Sequence, residues 1–265
     1  MTTATPRMLV SLVALFPEGL RELVQGSILG RAQTKGALGI EEVPLRQFGE
    51  GPRQNVDDTS CGGGPGMILR ADIVRRALND VCTRDDHRGQ NRSRRIVLLD
   101  AAGSLFTQSD AKRLASYEHL VLVCGRYEGI DARIHDAVDE IISIGDYVLT
   151  GGELAAGVVL DATARHLPEV LGNDASRSEE SFEGGLLEYR QYTRPIEDNG
   201  LGVPPVLTSG NHALIAKARR KDALLRTKTY RPDVWRDYSL SKEENALLND
   251  TTIPSLTPEH TRDDD

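Results

Sequence analysis

The strongest constraint on this chain is an alternation of short apolar runs with helix-patterned stretches through its first two thirds. Residues 8–16, MLVSLVALF, contain one polar side chain, Ser11. A run this apolar, yet too short for a membrane span, predicts a strand buried on both faces. It ends in Phe16-Pro17 without a small-residue cleavage site, so an export signal is not expected. Residues 71–81 place Ile73, Val74, Ala77, Leu78 and Val81 on one helical face. Strand patterns follow at 95–99, 119–124 and 140–144, and helix patterns at 108–116, 129–137 and 153–166. The alternation predicts an α/β domain built on a parallel sheet.

The texture changes after residue 171. Residues 172–185, GNDASRSEESFEGG, are polar, acidic and rich in Gly and Ser, which predicts an exposed linker. Beyond Pro195, Pro204 and Pro205 a helix is expected over 213–228. Ser241-Lys242-Glu243-Glu244 is a capping box that opens a final short helix. The expected organisation is a domain at 1–171, a linker at 172–186 and a small, mostly helical domain at 187–265.

Cys61, Cys82 and Cys124 form no CxxC pair. A disulfide framework or zinc ribbon is not expected, and the reducing cytoplasm is the natural setting. The net charge of −8 argues against a general DNA or RNA binder. Yet eight basic and two acidic residues lie between Lys217 and Arg236, with Lys217, Arg219, Arg220 and Lys221 at the head of the run. Such a run is either a solvated helix face or a stripe that contacts phosphates.

Three glycine-rich stretches carry the candidate site: CGGGPGM at 61–67, CGRYEGID at 124–131 and SIGDYVLTGGEL at 143–154. Ligands of open α/β sheets bind where strands end, and glycine lets backbone approach a ligand closely. None of the three is GxGxxG between a strand and a helix, and none is GxxxxGK[ST]. A dinucleotide fold and a P-loop are therefore disfavoured. The helix at 153–166 is apolar nearly all round, which predicts burial. Asp161 and Arg165 share an azimuth with Leu154 on it. They form either a mutual i, i+4 pair or a charge presented to a site or subunit interface.

Val56-Asp57-Asp58 with GGGPGM, then VCGRYEGID, SIGDYVLTGGEL, YTRP at 192–195 and VPPVLTSGNHA at 203–213 occur in this order. Together they closely resemble the bacterial tRNA (guanine-N1)-methyltransferases, S-adenosylmethionine enzymes of the SPOUT class. The likeness runs from about Met8 to Trp235. The resemblance implies a parallel α/β sheet whose C-terminal part threads a deep trefoil knot. Periodicity alone would not have suggested this, since true knots are nearly absent from proteins. It further implies that the loops after the three later strands grip S-adenosylmethionine. The cofactor-binding residues are then Leu99, Gly125, Glu128, Ile144, Gly145, Asp146, Tyr147, Val148, Leu149 and Gly151. A homodimer is implied, each site completed by both subunits, with neither a membrane nor DNA as partner. The small C-terminal domain would clamp tRNA, giving Lys217, Arg219, Arg220 and Lys221 phosphates to contact. Asp57 is grouped with tRNA; it and Glu128 could instead serve a metal, the methionine moiety or guanine. The linker would become ordered when tRNA binds. The family's magnesium has no compact ligand cluster here, so no metal ligand is assigned and any ion is expected to assemble with tRNA.

The implied reaction methylates N1 of guanine at tRNA position 37, next to the anticodon. It is a positioning problem plus a proton problem. N1 is a poor nucleophile until its proton leaves, and a carboxylate can take it. Charge then spreads to O6, where a guanidinium can stabilise it. The family places the arginine on the helix after the knot, here Arg165. Its base is an aspartate in a Glu-Asp-Ser context, which here reads Glu179-Glu180-Ser181 and puts the base at Glu180. Two other departures are Thr59-Ser60-Cys61, usually Arg-Pro-Tyr, and Asp100-Ala101-Ala102, commonly Ser-Pro-Gln. The alternatives are a SPOUT enzyme that methylates a ribose 2′-hydroxyl and a non-catalytic RNA-binding module.

Overall fold

The computed structural model describes residues 5–87, 92–171 and 180–260. The chain divides into two compact units after Gly172. Most of the expected linker, Glu179 included, lies outside the described residues.

The first unit contains β1 (Met8–Ala14), α1 (Arg21–Gln25), α2 (Ser27–Thr34), β2 (Leu38–Pro44), β3 (Asp57–Asp58) and β4 (Ile68–Leu69). These are followed by α3 (Ala71–His87), β5 (Arg94–Leu105), α4 (Gln108–Leu114), β6 (His119–Cys124), β7 (Glu140–Ser143) and α5 (Glu153–Ala164). Five strands form one sheet in the order β2-β1-β6-β5-β7, and every neighbouring pair is parallel.

Such a sheet must be covered on both faces. Met8, Val10, Leu12 and Ala14 of β1 pack in one core with Ala156, Val159 and Leu160 of α5. Val13 and Leu15 pack in the other with Ile73, Val74 and Ala77 of α3. This two-sided burial is why β1 has no polar face. Each large side chain so buried contributes about 1.5–3 kcal/mol. Ser11, its one polar residue, is satisfied by Glu41 Oε2 at 3.1 Å and His119 Nε2 at 2.9 Å.

Four features depart from the sequence reading. The strand β2 was not expected. It is a half-buried edge strand whose Glu41 and Glu42 reach out to Arg84 and Arg21, so its apolar signal is weak. Residues 129–137 are not one helix; only Ala132–Ala137 turns, as a 3-10 helix. Leu69 N–H donates to Gly129 O at 3.0 Å and Asp131 N–H to Leu69 O at 2.9 Å, which holds the preceding residues extended. The strand expected at 95–99 runs on to Leu105 through a bulge. Leu99 and Ser104 both align with Ile142, so residues 100–103 loop out. A Cβ on Gly103 would lie 2.5 Å from the Ile142 backbone. Finally, α5 is not buried all round. Leu154 is 60% and Val158 49% exposed, and Asp161 lies exposed on the same stripe.

The second unit contains α6 (Pro205–Thr208), α7 (His212–Tyr230), α8 (Pro232–Asp237) and α9 (Lys242–Asn249). Three two-residue strands, β8 (Glu197–Asp198), β9 (Leu201–Gly202) and β10 (Glu259–His260), form an antiparallel sheet. Val206, Ala218, Ile253 and Leu256 form its small core. The Ser241 box closes in both directions: Ser241 N–H donates to Glu244 Oε2 at 2.8 Å, and Glu244 N–H to Ser241 Oγ at 3.1 Å.

Candidate cofactor cleft and substrate residues

A parallel sheet brings all its carboxyl ends to one edge. There the β5 bulge, the loop after β6 and the loop after β7 meet around a cleft partly open to solvent. Leu99, Gly125, Glu128, Ile144, Gly145, Tyr147, Val148, Leu149 and Gly151 all line it. Asp146 is exposed and does not. Asp100 and Ala101, which depart from the family pattern, also line it. Asp100 Oδ1 accepts from Ala102 N–H at 2.8 Å, so the bulge closes on its own side chain.

Gly145 and Gly151, which line the cleft, have no room for a side chain. A Cβ on Gly151 would come within 2.6 Å of Glu153 Oε2 and would also meet Arg126. Gly145 sits at φ +149°, and its Cβ would run into the Tyr147 ring. A side-chain-free glycine wall, backed by apolar Leu99, Ile144, Leu149 and Ala155, suits a flat heteroaromatic ring. The cleft therefore fits an adenosyl group.

The first glycine stretch lies against the second. Tyr127 bridges to Ile68 and Ile130 to Leu69, and a Cβ on Gly66 would lie 2.5 Å from Glu128 Cγ. Asp57 pairs with Leu69 across β3 and β4, which brings it into the same stitched region. At its end the Arg133 side chain and N–H hold the Asp131 carboxyl down to about 2.

Sequence reasoning missed the pair that fixes the loops. Arg126 Nε donates to both oxygens of Glu153, at 3.1 and 3.0 Å, and Nη1 to Thr150 O at 3.2 Å. Glu153 is only 5% exposed and also accepts Phe16 N–H at 3.3 Å. Gly152 N–H donates to Gly125 O at 2.8 Å. A buried carboxylate needs such partners. The one available signal was an acid at the first turn of a largely apolar helix. Beside it, burial pushes the Cys124 thiol above its ordinary value, so this cysteine is inert packing.

Arg165 caps the C-terminus of α5, half-buried at the end of the Leu154–Val158–Asp161 stripe. Glu180 belongs to the second unit. It lines a cavity there with Tyr189, Arg219 and Arg220. Residues 181–188 turn tightly, with Phe182 N–H on Leu186 O at 2.7 Å and Glu188 N–H on Ser181 Oγ at 3.0 Å.

The basic run resolves into different environments on α7. Lys217 is exposed. The Arg219 guanidinium carbon sits 4.6 Å from the Tyr189 ring centre. Arg220 pairs with the largely buried Glu244 and donates to Tyr238 Oη at 2.8 Å. Lys221 Nζ donates to Asp250 O at 2.6 Å and Ile253 O at 3.3 Å. Arg220 and Lys221 thus brace the fold. Among the described residues no three His, Cys, Asp or Glu side chains are grouped to hold a metal ion, and no helix is long and apolar enough to cross a membrane.

Comparison with known proteins fits this arrangement. The family model described as "tRNA (Guanine-1)-methyltransferase TrmD" matches residues 8–237. A tRNA (guanine-N(1)-)-methyltransferase of Leuconostoc mesenteroides is 48% identical over 91% of this chain and 97% of its own length. Enzymes of the same name from Magnetococcus marinus and Thermus thermophilus are 47% and 46% identical, each over 91% of this chain and over 94% and 97% of their own lengths. With its parallel sheet, its glycine-lined cleft and these relatives along most of its length, the chain belongs to the tRNA (guanine-1)-methyltransferase family.

Proposed function

We propose that this chain methylates N1 of guanine at position 37 of tRNA, beside the anticodon, with S-adenosylmethionine as donor. The observation that carries this reading is the convergence of three loops on one cleft in a chain of this family. Residues 1–171 form the catalytic domain, 172–186 the linker and 187–265 the tRNA-binding domain; the division into two compact units supports this. The loops after 95–99, β6 and β7 form a deep trefoil knot, a reading supported by the stitching of Gly152 to Gly125. The protein works as a homodimer in the cytoplasm. The exposed apolar Leu154 and Val158 support a subunit contact, because large exposed apolar side chains in one stripe mark association surfaces.

S-adenosylmethionine, when bound, supplies a methyl group on a sulfonium that is open to in-line displacement. The chain's own residues do the rest. The cleft backbone aligns the donor side, with Glu128 toward its methionine end. Glu180 removes the N1 proton of guanine. Arg165 places its guanidinium at O6, where negative charge develops. Asp57 faces tRNA; any magnesium would assemble with tRNA, since the described residues hold no ligand cluster for it. Incubating the protein with unmodified tRNA and mapping the methylated atom tests the whole reading. The expected product is 1-methylguanine at position 37; a 2′-O-methyl nucleoside would overturn it.

Clamping of tRNA by α7 has its own test. Lys217→Ala should make the dependence of tRNA affinity on salt shallower by roughly 0.7 to 0.9 in log–log slope, one phosphate contact. Arg219→Gln should do the same if its charge reaches phosphate past Tyr189. Lys221→Ala should instead lower the melting temperature, since its carbonyl partners Asp250 and Ile253 lose their donor. An unchanged slope for Lys217→Ala and Arg219→Gln would make the stripe a solvated face.

A further inference from the structure

Presenting N1 of a loop guanine for methyl transfer takes that base out of its stack, and its neighbour loses a stacking partner. Single-stranded RNA sites replace such a partner with an aromatic ring or a guanidinium plane. A group of this kind stands at the carboxyl edge of the sheet, next to the cofactor cleft. Every residue of β1 is buried, and so is Leu15 after it, yet Phe16 is 39% exposed. Its backbone is held in place by the buried Glu153 carboxylate. Two guanidiniums flank its ring, that of Arg126 at 5.2 Å and that of Arg46 at 5.8 Å from the centroid.

The two arginines differ in charge balance. Arg126 lines the cleft and is compensated by Glu153. Arg46 lies in the 3-10 turn Leu45–Phe48 that follows β2, and it is exposed. No carboxylate forms an ion pair with it among the described residues. An exposed ring beside an uncompensated guanidinium matches a base together with its own phosphate. The platform is also continuous with the cleft, because Arg126 belongs to both.

We propose that Phe16 and Arg46 form a nucleotide platform that receives the base adjacent to the target guanine and its phosphate, with Arg126 fixing the platform against the cofactor loop. The proposal rests on the tRNA-methylating function above and deepens it. The displaced neighbour stacks on Phe16, Arg46 moves from the ring to the phosphate, and the target guanine is left free to enter the cleft.

The test uses the full-length protein with unmodified tRNA and with anticodon stem-loops carrying 2-aminopurine on either side of the target. Phe16→Leu keeps an apolar side chain but removes the π face. It should weaken tRNA affinity roughly 5- to 100-fold, the range for one stacked base. It should also abolish quenching of one of the two 2-aminopurine probes. Phe16→Trp should retain affinity and quenching, and Arg46→Gln should make the salt slope shallower by roughly 0.7 to 0.9. Affinity, quenching and rate equal to wild type in Phe16→Leu overturn the platform. So does a Phe16→Leu protein that changes its oligomeric state or its cofactor affinity, since the ring is then a packing element. If wild-type protein binds tRNA through Phe16 but yields no methylguanine, the function reading falls and the platform stands.

Discussion

Glu180→Gln is expected to lower the single-turnover methylation rate by about 10²- to 10⁴-fold while tRNA and cofactor still bind. The substitution keeps shape and hydrogen bonding but cannot take the N1 proton. Glu180→Asp should retain substantial activity, because it keeps a carboxylate and restores the Glu-Asp-Ser that the resemblance implies for this frame. Glu179→Gln should do much less. Arg165→Lys should be poor, since a point charge does not replace the planar fork proposed to stabilise O6. The comparison to run is rapid-quench methylation of one tRNA by the two Gln variants. If Glu179→Gln is the inactive one, the base lies one residue earlier. If both react normally, the proton leaves by another route and the turn at 181–188 only positions tRNA.

Gly145→Val should weaken cofactor binding on the order of 100-fold with the fold retained. Gly145 sits at φ +149°, a conformation that costs a β-branched residue about 1–3 kcal/mol. Its new side chain would also push into the Tyr147 ring, which lines the same cleft. Relieving both moves the loop that carries Tyr147, Val148 and Leu149. Titration calorimetry with S-adenosylmethionine, alongside circular dichroism, reads the two effects separately. Wild-type affinity in a folded variant would remove this loop from the site.

What could be read from the sequence was what depends on local pattern. The continuous apolar run of β1 announces a strand covered on both faces, and the Ser241 box announces its helix, because both signals lie within a few residues. What depends on partners far along the chain was not readable. Glu41 and Glu42 hid β2, since their arginine partners lie on other elements. Gly129 and Asp131 could not form a helix once Leu69 had claimed their backbone groups. Counting charge between Lys217 and Arg236 could not reveal that Glu244 and two carbonyls already hold Arg220 and Lys221. In the site, the glycine stretches were visible because glycine itself is the signal. Arg126 and Glu153 were not, because an arginine and a glutamate 27 residues apart advertise nothing until the sheet edge joins them.

The hydrogen bond from Phe16 to Glu153 closes a span of 137 residues. At synthesis rates of about 5–20 residues per second, α5 leaves the ribosome roughly 7–30 s after β1. For most of that interval β1 can pair with β2 but lacks β6, and throughout it lacks α5, which packs on one of its faces. Contacts of this range close late, because the entropy of the intervening loop must be met before they contribute. The cofactor cleft is thus the last part of the first unit to exist during biogenesis. A ligand that needs the cleft can hold only the completed fold, by mass action, and gives nascent chains no help. Cellular donor concentration therefore bears on how long finished protein persists and leaves the pace of its assembly to the chain.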